Sequence, residues 1–177
     1  MPKRLVTALG FVVASSFGFA QSDSAPAMPE LEYAFEIRVS VAQPQDFGVM
    51  DHGRRRVVAI TGGTFEGPEI KGRIVPGGAD WQSIQEDGFS RLDTRYALET
   101  DAGQLIYVQN FGLRHAPPEV MAKLNAGETV DPDLVYFRTV PTFETSAPEL
   151  KWLERSVFIG IGQRYPDDVR IRFWRVK

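Results

Sequence analysis

The stretch Leu31-Glu32-Tyr33-Ala34-Phe35-Glu36-Ile37-Arg38-Val39-Ser40-Val41 sets Leu31, Tyr33, Phe35, Ile37, Val39 and Val41 against Glu32, Ala34, Glu36, Arg38 and Ser40. Successive side chains of a strand leave opposite faces, so this period of two predicts a half-buried strand. Further strands are expected at 55–61, 69–75, 91–99, 104–112, 134–144, 156–162 and 169–176. Asp101-Ala102-Gly103 and Tyr165-Pro166-Asp167-Asp168 supply hairpin turns. Two short helices are expected, one opened by Pro117-Pro118 and ending near 125–127, the other starting at Pro148 after Ser146 and carrying Trp152 and Leu153.

About eight antiparallel strands with little helix give an all-β fold, a sandwich or a barrel. Long alternating strands without a central proline are aggregation templates when left at a sheet edge, and closure removes edges. The expectation is a single closed or nearly closed antiparallel β-barrel, residues 31–177, of lipocalin-like appearance. No repeat of fixed period is present, which argues against propellers and solenoids.

Residues 1–20 run from Lys3 and Arg4 through an apolar segment, Leu5 to Val13, to the small residues Gly18 and Ala20. That order is expected of a signal peptide cleaved after Ala20, with a Ser-, Ala- and Pro-rich flexible leader over 21–30. The apolar segment is shorter than the ~20 residues of a membrane span, so no stable span is expected after cleavage. The localisation expected is periplasmic or secreted. The chain has no cysteine, so its stability owes nothing to disulfides. Twenty Lys+Arg against 23 Asp+Glu leave a net negative chain, which argues against nucleic acid as a partner.

Gly62-Gly63-Thr64-Phe65-Glu66-Gly67-Pro68 and Pro76-Gly77-Gly78-Ala79-Asp80-Trp81 concentrate glycine beside a charge and a large aromatic surface. A phosphate cradle would need a following helix and a Lys-Ser/Thr pair, which are absent, so the glycines are expected at barrel corners. These runs, with Asp93-Thr94-Arg95-Tyr96, Leu98-Glu99-Thr100-Asp101, Tyr136-Phe137-Arg138, Phe143-Glu144-Thr145 and Trp152-Leu153, resemble the domain of unknown function 3237, also called uncharacterised protein family 0311. The resemblance covers about 31–176 and implies a compact antiparallel barrel without an assigned activity. Ala102 and Glu154 depart from the family pattern, which has an acid and an asparagine there.

Asp80 and Trp81 read either as a capped turn with an aromatic plug or as a hydrogen-bond acceptor and a stacking surface for a flat ligand. Arg95 shares a strand face with Asp93, while Tyr96 lies on the other with Leu92, Thr94 and Leu98. Arg138 and Glu144 share a face with Tyr136. These charges form either a solvated outer face or the lining of the lumen. Inward arginines would need a carboxylate partner or an anionic ligand. Asp80, Trp81, Arg95, Tyr96, Arg138 and Glu144 are therefore the candidate ligand-binding residues, with Arg95 preferred over Tyr96.

No cofactor or metal site is expected from two separated histidines, His52 and His115, and neither G-x-S-x-G nor H-E-x-x-H occurs. Three functions fit: an exported barrel binding a small aromatic or carboxylated molecule, an isomerase- or cyclase-type enzyme using Asp80 or Glu144 for proton transfer, and a structural or homo-oligomer-forming module with a filled core.

Overall fold

The computed structural model describes residues 25–165 and 168–177; the expected signal peptide lies outside the described residues. Among the described residues nine strands follow in chain order: β1 (Leu31–Val41), β2 (Gln45–Met50), β3 (Gly53–Glu66), β4 (Lys71–Ile84), β5 (Ser90–Thr100), β6 (Leu105–His115), β7 (Tyr136–Glu144), β8 (Phe158–Arg164) and β9 (Asp168–Val176). One helix, α1 (Pro118–Asn125), separates β6 from β7. The second expected helix is a single 3-10 turn, Pro148–Leu150.

Every ladder is antiparallel, in the order β1-β9-β8-β7-β6-β5-β4-β3-β2, and β1 also pairs with β3. That last pairing closes an eight-stranded barrel. The sequence did not suggest β2, which continues the sheet from the first residues of β3, beyond the β1 seam.

The glycine-rich runs lie inside strands, where the strands bend. Register slips between Ala59 and Thr64 on β3 and between Val75 and Ala79 on β4, so Gly62-Gly63 and Pro76-Gly77-Gly78 fall at bulges. Such bulges let long strands curve around a small barrel. β1 carries a bulge of its own between Tyr33 and Phe35. It reverses the alternation at the start of the strand: Leu31 and Tyr33 point outward, against expectation, and Tyr33 packs edge-on against Trp174 at 6.2 Å.

Inside, the barrel has two halves. One end is filled by Phe35, Phe65, Phe143, Phe158 and Phe173 with Ile37, Ile74, Leu98 and Ile106. The rings meet at centroid distances of 5.1–6.2 Å in tilted or edge-on pairs, each worth about 0.5–1.5 kcal/mol beyond area burial. Leu150 and Leu153 of the β7–β8 connection plug that end. Glu154 fixes the plug, its Oε1 accepting from Thr145 N at 2.7 Å and Lys151 Nζ at 2.7 Å. The filled core proposed for a structural module thus occupies half the lumen. The other half is polar.

Candidate functional site

The polar half is built by counting in twos along five strands. Inward positions run Arg56, Val58 and Ile60 on β3; Asp80 and Gln82 on β4; Leu92, Thr94 and Tyr96 on β5; Asn110 and Arg114 on β6; and Phe137 and Thr139 on β7. They enclose a cavity of about 280 Å³, completed at its mouth by Gln43 and Pro44, Arg164, Tyr165 and Asp168. Its apolar wall is Ile37, Val39, Ile60 and Ile171.

One hydrogen-bonded chain crosses the site. Arg56 Nε donates to Gln82 Oε1 at 2.6 Å, Gln82 Nε2 donates to Asp80 Oδ2, and Thr94 Oγ1 donates to Asp80 Oδ1 at 3.0 Å. Asp80 is only partly exposed, and what it exposes borders the lumen. Burial raises its pKa above the ordinary aspartate value, while bonds from Gln82 and Thr94 and the charges of Arg114 and Arg56 offset part of that rise.

Arg114 is 4% exposed and its Nε has no hydrogen-bond partner among the described residues. Its guanidinium lies over the Phe137 ring at 5.8 Å. Burial, with Arg56 and Arg164 as like charges nearby, pushes its pKa down to about 10, so it stays charged at neutral pH. Among the described residues neither Arg56 nor Arg114 forms an ion pair. Among the described residues three guanidiniums therefore share this end of the lumen with one pKa-raised carboxyl, since Asp168 is already paired with Arg170 at 3.0 Å. Tyr96 Oη, Asn110 Oδ1 and Thr139 Oγ1 are likewise buried without partners among the described residues.

Of the six residues singled out from sequence, Asp80 and Tyr96 face the lumen. The other four do not. Trp81 is 51% exposed on the outer wall, between Val57 and Asp93 in register. Arg95 is exposed and paired with Asp93 at 3.4 Å. Arg138 and Glu144 are exposed, and Arg138 lies over Tyr136 at 5.2 Å. The preference for Arg95 over Tyr96 is therefore corrected: parity along β5 carries Tyr96 inward and Arg95 outward, with no bulge in the β5–β6 ladder to reverse it. The inward arginines are Arg56, Arg114 and Arg164, whose signal was the same count of two carried to the strand ends. His115 stacks between Phe89 and Tyr136 outside the lumen.

A larger concavity of about 1330 Å³ lies across the strand ends and outer wall, lined by Met50, Arg54, Trp81, Arg91 and Phe111 among others. It shares Arg56, Arg114 and Arg164 with the lumen's mouth and is the more open of the two, so the lumen is the stronger ligand site. No cluster of three or more His, Cys, Asp or Glu is present among the described residues, and none of their helices is long and apolar enough to cross a membrane.

The raised pKa of Asp80 has a measurable consequence. The native state holds this proton more tightly than the unfolded chain. The carboxyl's contribution is thus most favourable below the ordinary aspartate value and is lost as pH rises through the native value. Asp80→Asn, which cannot titrate, should gain stability relative to wild type across that rise, in urea titrations from about pH 4 to about 8. A relative loss instead would mean that the arginines hold Asp80 charged.

A family model described as protein of unknown function, DUF3237, matches residues 29–176. The chain is 42% identical over 142 residues to a UPF0311 protein of Rhodopseudomonas palustris, covering 80% of this chain and 93% of that protein. A crystal structure described as a β-barrel like protein from Acinetobacter baumannii superposes with a TM-score of 0.77 at 41% identity, covering 86% of this chain and 99% of that one. A more distant likeness reaches the hydroalkoxylation enzyme phnH of Penicillium herquei, 27% identical over 94 residues, 53% of this chain and 62% of that protein. The crystal structure of an enzyme from the same fungus shares the fold at a TM-score of 0.65 and 20% identity, covering 87% of this chain and 98% of that one. Matched over nearly all of its barrel, from residue 29 to the last strand, this chain belongs to the DUF3237 family.

Proposed function

We propose that the chain binds a small aromatic or carboxylated molecule in the polar half of its lumen. The observation that carries this reading is Arg114, a buried guanidinium whose Nε has no partner among the described residues, beside a cavity of about 280 Å³. Burying a charge costs several kcal/mol unless something pairs with it, and a planar anionic group is the natural partner of a guanidinium. The volume lies near the small end of the ~300–1,000 Å³ range of ligand pockets, which suits one ring. Calorimetry with benzoate and phenylacetate against their neutral amides tests it. The acids should bind at least about tenfold tighter, the difference of one charge-assisted hydrogen bond. Arg95→Ala and Arg138→Ala should bind as wild type does. Equal binding of acids and amides, or none, would refute the reading.

The same reading holds the chain to be exported, on the strength of Lys3, Arg4 and the apolar run to Val13. Amino-terminal sequencing of the mature protein should begin at Gln21; material beginning at Met1 would end that idea.

Asp80 favours a second reading, a cyclase. A carboxyl whose pKa is raised by burial is suited to act as a general acid, and the name of the fungal relative describes O–H addition to a carbon–carbon double bond. Asp80 would give its proton to an alkene carbon, a hydroxyl oxygen of the same substrate would bond to the resulting cation, and that hydroxyl's proton would return to Asp80. Turnover lost in Asp80→Asn and kept in Glu144→Gln would support it.

A further inference from the structure

We infer that the lumen's ligand is a hydroxy acid, bringing a hydrogen-bond-donating hydroxyl as well as an acidic oxygen. The inference rests on the binding reading above and concerns what that reading leaves unmatched. Arg114 offers donors, and so do Arg56 and Arg164 at the same end. A ligand that only accepts would meet all three. It would leave Asn110 alone.

Asn110 is 2% exposed, lines the cavity, and its Oδ1 has no partner among the described residues. Whichever way its amide is turned, it presents one acceptor as well as two donors. Tyr96 and Thr139 stand beside it: Tyr96 pairs with Val108 and Thr139 with Gly112, the positions two before and two after Asn110 on β6. Both hydroxyls are buried without partners among the described residues and can accept as well as donate. Three inward polar groups thus run diagonally across β5, β6 and β7, with Arg114 four residues beyond Asn110 on β6. Buried polar groups are normally hydrogen-bonded, and an orphan acceptor is satisfied only by something that donates. None of the three guanidiniums donates to it in this structure. A hydroxyl on the ligand can.

The test compares the three ring isomers of hydroxybenzoate with benzoate and the matching methoxybenzoates by calorimetry on the full mature chain. At least one hydroxybenzoate should bind about tenfold or more tighter than both its unsubstituted and its O-methylated counterparts, since a site built for a hydroxyl discriminates against analogues lacking it. In Asn110→Leu that preference should fall below about twofold. Tyr96→Phe, nearly isosteric, provides a second variant should Asn110→Leu fail to fold, and should reduce the preference in the same way. If the acids bind and the hydroxyl makes no difference, the inference falls while the binding reading stands. If no acid binds, the binding reading fails and takes the inference with it.

Discussion

Gly63→Ala should destabilise the barrel by about 3–4 kcal/mol, a large part of the ~5–15 kcal/mol that holds a typical domain folded. Two effects combine at this position. Its φ of +138° is a conformation that a residue with a side chain rarely adopts, and a Cβ built there would lie 2.1 Å from the carbonyl oxygen of Arg38. Arg38 is on β1, and Gly63 lies beside it in the β1–β3 ladder, the seam that closes the barrel. The clash is with backbone, so no rotamer change relieves it. Gly103→Ala is the control: φ there is +80°, but nothing lies within 4 Å of the added carbon. It should lose only about 1–2 kcal/mol, the conformational share alone. Urea denaturation of both variants separates the terms. Equal losses would mean that the seam yields at little cost and that closure is not what Gly63 protects.

The barrel was legible because alternation survives in strand interiors. The sequence expectation for β5 placed Leu92, Thr94, Tyr96 and Leu98 on one face, and they are the inward set. What alternation does not carry is a bulge, because one extra residue reverses every face beyond it. That is why Leu31 and Tyr33 were expected inside and lie outside.

The site was less legible, for a physical reason visible at two strand ends. The expected strands ended at Gly112 and Gly162 and left out Arg114 and Arg164. Both glycines are mid-strand. A Cβ on Gly162 would lie 2.5 Å from the Phe137 ring, and one on Gly112 would lie 2.9 Å from the Thr139 methyl group. Each makes room for a β7 side chain, and its strand continues for two more residues to an arginine at the mouth. The outward charges, by contrast, advertised themselves in sequence as a ligand set because Asp93 and Arg95 sit two apart, a spacing that serves a solvated pair worth ~0–1 kcal/mol equally well.

Arg114→Met should make the protein more stable and the site nearly useless. A buried guanidinium whose Nε has no partner among the described residues, with like-charged neighbours, carries a desolvation penalty that its aromatic contact with Phe137 does not offset. Replacing buried ions by apolar residues of similar volume is often stabilising by about 1–4 kcal/mol, and Met, unbranched and adaptable, suits the space beside Phe137. A gain of that order in urea denaturation is the expected result. Binding should move the other way. Truncating one partner of a buried charge pair costs about 2–5 kcal/mol, so acid affinity should fall at least about 30-fold. Opposite signs in the two measurements are the signature of a residue kept for a ligand at the expense of the fold. Were Arg114→Met to lose stability instead, the guanidinium would be a structural member of the barrel wall, and the anion-binding role assigned to it would lose its physical basis.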